Sequence, residues 1–240
     1  MNKSKIEWTD YTWNPITGCK KVSDGCKNCY AERIAENQRG NKVYPNGFDV
    51  MFRPERMDDL SKVTQPFKVF VGSLTDLFQD DVTNEQIISI FEKMHENPQH
   101  TYQILTKRPL RMVTMINTGI ITVTDNMWLG VTIENSKNVF RGLLLNQIDH
   151  PNKWLSMEPL VGEVSIQDLR LINVNWIVVG GESGPGFREM DPSWAKNIQE
   201  YCEKEEISFF FKQWSGIKPG SSGKVLEGKT YDQYPDQKED

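Results

Sequence analysis

Little in this chain suggests a membrane, an export route or a broad basic surface. No apolar run approaches the length needed to cross a bilayer. The opening residues, Met1-Asn2-Lys3-Ser4-Lys5-Ile6-Glu7-Trp8, carry no apolar stretch that could act as a signal peptide. A cytoplasmic, reducing location is therefore expected. Formal net charge is −5, which excludes a global positive field of the kind that gathers nucleic acid without sequence preference. Histidine is scarce: His95, His100 and His150 fall in or beside helix-end turns, and none is placed as a base or a ligand. No internal repeat stands out, and no shift in composition marks a domain boundary.

Cysteine is scarce too, but it is concentrated. Of four cysteines, three lie within eleven residues, as Cys19, Cys26 and Cys29 in a C-x6-C-x2-C arrangement. In a reducing compartment such a cluster binds a metal more often than it forms a disulfide. The fourth, Cys202, sits on the apolar face of a predicted helix and reads as a core thiol. A structural zinc site usually takes four protein ligands, and here three are in view with no histidine nearby.

The rest of the chain alternates strand and helix. Strands are predicted around 10–14, 67–72, 102–106, 127–133, 153–157, 176–179 and 207–211, with a short one near 50–52. A helix is predicted over 30–37, stopped by Gly40. Thr83 and Gln86 mark a capping box for the next helix, with Ile87, Phe91 and Met94 on its apolar face. Pro109 suits the first turn of another. Asn135 is expected to cap a helix with Val139, Phe140, Leu143 and Leu144 apolar, and Asp191-Pro192 to open one with Trp194, Ile198, Tyr201 and Cys202 on its buried face. Residues 40–66 read as largely irregular.

This alternation predicts an α/β fold, a single-domain partial or near-complete (β/α) barrel of about six to seven parallel strands over residues 1–215, with the cysteine loop at 18–30. Residues 216–240 read as a polar tail, partly docked through Leu226, Tyr231 and Tyr234.

In such barrels the reactive groups lie on loops that follow the strands. The strand ends here carry Ser73, Thr75 and Asp76; Thr106, Lys107 and Arg108; Thr132 and Glu134; Ser156 and Glu158; Glu182 and Ser183; Lys212 and Gln213. Lys107-Arg108 could bind a carboxylate or a phosphate, or could be a solvated helix start. Trp8, Trp13, Trp194 and Trp214 stand near loop signals, where tryptophans line clefts or pack rims. Gly180-Gly181-Glu182-Ser183-Gly184 could let a ligand approach the backbone, but its spacing is not a dinucleotide fingerprint.

Three cysteines in the loop after the first strand of a β/α barrel resemble the radical S-adenosylmethionine (SAM) superfamily. The resemblance implies a 4Fe–4S cluster on Cys19, Cys26 and Cys29, SAM bound at the iron left open, an external electron donor, and radical chemistry started by cleaving SAM. The superfamily spacing is usually C-x3-C-x2-C, whereas the first gap here is six residues. Its Gly-Gly-Glu motif follows the second strand, so that role is not carried over to Glu182.

A resemblance over nearly the whole chain is to a phage and prophage family with a three-cysteine motif and no assigned reaction. It is carried by Ile6-Glu7-Trp8-Thr9-Asp10, Thr12-Trp13-Asn14-Pro15, Phe70-Val71-Gly72-Ser73-Leu74-Thr75-Asp76, Leu105-Thr106-Lys107-Arg108-Pro109, Ser156-Met157-Glu158-Pro159 and Phe211-Lys212-Gln213-Trp214. Thr106-Lys107 is also loosely similar to spore photoproduct lyase, a radical SAM enzyme acting on DNA, which brings a nucleotide or nucleic-acid substrate into view.

Under these resemblances Lys107, Glu158 and Glu182 are the candidates for catalysis. Tyr30, Ser73, Asp76, Thr132, Glu134, Ser156 and Arg188 are the candidates for contact with the cofactor. Two other readings stand beside this one. The chain could be a non-catalytic iron–sulfur or zinc module that binds a host protein or nucleic acid. It could also be a metal-free barrel enzyme using Glu158 or Glu182 as acid or base.

Overall fold

Short runs rich in Val, Ile, Phe and Trp form the strands, because such side chains pack well on a pleated, buried surface. A computed structural model describes residues 1–235. Ten strands are present among them: β1 (Asn2–Lys3), β2 (Tyr11–Trp13), β3 (Ile16–Thr17), β4 (Met51–Phe52), β5 (Lys68–Val71), β6 (Thr101–Thr106), β7 (Met127–Thr132), β8 (Lys153–Met157), β9 (Trp176–Gly180) and β10 (Ser208–Gln213).

Eight of them form one sheet in the order β1-β2-β5-β6-β7-β8-β9-β10, with β3 and β4 as a separate antiparallel pair. β2 runs parallel to β5, β5 to β6, β8 to β9 and β9 to β10, whereas the two-residue β1 is antiparallel to β2. Strands follow one another in chain order, the topology of a partial β/α barrel, as the strand–helix alternation predicts.

Helices supply the crossovers: α1 (Tyr30–Asn37), α2 (Asn84–His95), α3 (Pro109–Asn117), α4 (Phe140–Leu145), α5 (Ile166–Leu169) and α6 (Pro192–Lys204). The capping box holds, with the Gln86 amide donating to Thr83 Oγ1 at 3.3 Å and the Thr83 amide to Gln86 Oε1 at 3.0 Å. Asp191 caps α6, accepting the Ser193 amide at 2.8 Å. No helix among the described residues is long and apolar enough to cross a membrane.

By packing, the chain divides into two units, one of Met1–Val22 with Cys29–Leu129 and one of Ser23–Asn28 with Gly130–Asp240. The first is built on Trp13, Val69, Phe78, Ile87, Phe91 and Tyr102, all buried. The second is built on Trp154, Trp176, Ile177, Val178, Ile198 and Phe211, also buried. The rings of Trp154 and Trp176 lie 5.0 Å apart. Gly130 makes room for the first of them: a Cβ there would stand 2.4 Å from the indole.

Three expectations change. The segment 40–66 is not wholly irregular, since Pro54–Lys62 forms a 3-10 helix around the buried Leu60. Asn135 caps the 3-10 turn Ser136–Asn138 rather than α4, whose apolar Phe140 is 52% exposed and Leu143 40%, while Arg141 is buried. Burying that guanidinium satisfies a carboxylate, as described below. Trp194 of α6 is half-buried rather than inward, beside the buried Ile198, Tyr201 and Cys202.

Leu226 is buried, the Phe211 amide donates to the Tyr231 carbonyl at 2.9 Å, and the Tyr234 ring lies 5.5 Å from Trp176. Residues 236–240 of the expected tail lie outside the described residues.

Candidate metal centre

The cysteine loop leaves the end of β3 at Gly18 and reaches α1 at Tyr30. Its first stretch belongs to the first unit. There the Gly18 carbonyl accepts Thr75 Oγ1 at 2.7 Å and Gln79 Nε2 at 3.0 Å, and the Lys20 amide donates to Gln79 Oε1 at 3.1 Å. Arg108 sends one nitrogen to the Lys20 carbonyl at 2.8 Å and holds another 4.0 Å from Cys19 Sγ.

Asp76 organises this half. Its carboxylate is buried and accepts Thr106 Oγ1 at 2.7 Å, the Lys107 amide at 2.9 Å and Arg108 at 3.1 Å. The Tyr30 hydroxyl donates to the Ser73 carbonyl at 2.7 Å, and Ser73 Oγ exchanges hydrogen bonds with the Asn14 amide. Tyr30, Ser73, Asp76, Lys107 and Cys19 thus share one end of the first unit, with Asp76 turned into the loop network.

The middle stretch, Ser23–Asn28, belongs to the second unit and is splinted by two buried carboxylates. Ser23 Oγ donates to Glu134 at 2.6 Å. Glu134 also receives Arg141 at 3.0 Å, and the same nitrogen donates to the Thr132 carbonyl at 2.8 Å. Gly25 lies so close that a Cβ would stand 2.6 Å from Glu134 Cγ, so only glycine fits.

Glu182 is the other splint. It accepts Asn28 Nδ2 at 2.9 Å and pairs with Arg188, whose guanidinium also donates to the Asp24 carbonyl at 2.9 Å. Burial alone would raise the Glu182 carboxyl. Hydrogen bonds from Arg188 and Asn28 outweigh it and hold the group below its ordinary value, so it stays ionised at neutral pH.

Glu158 lies at the end of β8 against Lys212 at 2.5 Å, and both side chains retain some exposure. Ser156 is buried, and its carbonyl takes the Ile133 amide at 3.0 Å. Arg141 and Asn28 are missed by sequence reasoning. The first hides in an apolar-looking helix, and the second lies 154 residues from its carboxylate.

None of the four cysteines is in a disulfide; Cys19, Cys26 and Cys29 are half-buried and Cys202 is sealed. Burial pushes the Cys202 thiol well above its ordinary range. Ser23 Oγ stands 3.9 Å from Cys26 Sγ. Among the described residues no group of three or more His, Cys, Asp or Glu side chains is gathered as a ready metal site. The donor chemistry fits an iron–sulfur cluster: three thiols on one loop, none in a disulfide, none sealed in the core.

Residues 3–235 match the family described as "Protein of unknown function (DUF5131)". The chain belongs to that family. No curated protein matches it. Two solved structures share its fold. One is "Spore photoproduct lyase complexed with dinucleoside spore photoproduct", at TM-score 0.54 and 9% identity over 89% of this chain and 78% of that one. The other is a cysteine-to-serine mutant of spore photoproduct lyase, at TM-score 0.53 and 11% identity over the same shares. At such identity the likeness is one of fold. It does not bear on the phage and prophage resemblance.

Proposed function

We propose that this chain is a radical SAM-type enzyme, with Cys19, Cys26 and Cys29 as the ligands of a 4Fe–4S cluster. The observation that carries the reading is the contrast among the thiols: three on one loop are half-buried and outside any disulfide, while the fourth is sealed in the core. When bound, the cluster supplies an open iron for SAM and the electron that cleaves it, with the electron drawn from an external donor.

The protein's own residues hold the loop for this purpose. Glu134 fixes Ser23, Glu182 with Arg188 fixes Asn28 and Asp24, and Arg108 sets a cation beside Cys19. Glu182 is therefore a positioning residue rather than an acid or base. Lys107 and the Glu158–Lys212 pair are the groups proposed to meet substrate, and Tyr30, Ser73, Thr132 and Ser156 to border the cofactor. A nucleotide or nucleic-acid substrate is supported by the fold shared with a lyase solved on a dinucleoside ligand.

Anaerobic reconstitution tests the reading, with about four irons per chain expected. Incubation with SAM and dithionite should then release 5′-deoxyadenosine, and Cys26→Ala should abolish both. A folded protein that takes up one zinc and leaves SAM intact would instead favour a non-catalytic metal-binding module. That second reading draws on the saturation of Glu134 and Glu182, which leaves neither carboxylate to move a proton.

A further inference from the structure

A second candidate binding site lies within the second unit, after the ends of β9 and β10. It is a cavity of about 640 Å³ between the segment around Phe187, the first turn of α6 and the segment around Trp214. That volume falls in the range of small-ligand sites.

Its lining is aromatic and acidic. Trp194, Trp214, Phe187 and the buried Met190 supply the apolar wall. Trp214 is fixed, since its Nε1 donates to the Val225 carbonyl at 2.9 Å and its ring lies 4.8 Å from Phe211. Glu189 and Asp191 are the charged residues of the lining, and no Lys or Arg is among them. Asp191 is occupied in capping α6, whereas Glu189 is exposed at the rim. Pro192, Ser215 and Ser222 complete the lining.

We propose that this cavity binds a small organic cation, an ammonium carried on an apolar body. Indole faces attract a cation more strongly than other aromatic rings do. The carboxylates add to that attraction, and the absence of a basic residue from the lining disfavours phosphates and carboxylates. This site is independent of the iron–sulfur reading and can be tested on the metal-free full chain.

The test is isothermal titration calorimetry with three probes that share one aromatic body: phenethylammonium, 2-phenylethanol and 3-phenylpropionate. The ammonium should bind about 10-fold more tightly than the alcohol, and the carboxylate should give no heat. Glu189→Gln, at an exposed position, should weaken the ammonium several-fold and leave the alcohol unchanged. Trp194→Leu should weaken both, with circular dichroism confirming the fold. Equal binding of ammonium and alcohol, no heat from any probe, or binding of adenosine in preference to the ammonium would each overturn the proposal.

Discussion

At the scale of single residues, two acids expected at the site, Glu134 and Glu182, are tied to the cysteine loop. Glu134 is fully buried and shared between Ser23 and Arg141, itself 2% exposed. Removing one partner of a buried ion pair strands the other. Glu134→Ala should therefore cost about 3–5 kcal/mol in urea unfolding, with Glu134→Gln milder because it keeps the shape and the Ser23 contact. A loss under about 1 kcal/mol would mean that water relieves Arg141. The thiols give a second prediction. In native metal-free protein, Cys19, Cys26 and Cys29 should react with a thiol reagent while Cys202 reacts only on unfolding. The cysteines were legible because their signal is local, eleven residues of one loop. Their supports were not: Glu134 lies 111 residues from Ser23, and Asn28 lies 154 from Glu182, so no spacing rule reaches them.

Among the elements, legibility followed length and packing. β6 to β10 were legible because each is a run of five or six residues, mostly buried and dense in apolar side chains. β1 and β3, two residues each, are too short to show a period. On α4 apolar character does not mark the buried side, which carries Arg141 with Gly142 and Leu145. The 3-10 segment at Asp24–Cys26 stands where the sequence predicts only loop, and its Gly25 leaves no room for a Cβ beside Glu134. Gly25→Ala forces a methyl group against Glu134 and should cost about 1–3 kcal/mol. Amide exchange at Cys26 should speed up in that variant while the amides of α2 keep their protection. Equal loss in both places would show that the splint is not local.

For the whole molecule, sheet order was legible from the alternation of strand and helix, and topology outlasts sequence: 9% identity accompanies a shared fold over 89% of the chain. Global stability should depend on pH through His100. Burial lowers its pKa from the ordinary 6.5, with carbonyls of Leu60 and Val63 offsetting part of the effect. The unfolded chain then binds more protons than the native one just below 6.5, so stability is full above that pH and declines as pH falls through the native value. The melting temperature should fall on acidification from pH 7 to pH 5.5, and fall less in His100→Gln.

The central claim, an iron–sulfur centre on three cysteines with one iron open to SAM, is tested most directly by electron paramagnetic resonance. The reconstituted, dithionite-reduced protein should show a 4Fe–4S signal that changes shape when SAM is added, and Cys26→Ala should lack it. A signal indifferent to SAM, or none in a protein that has taken up iron, would contradict the claim.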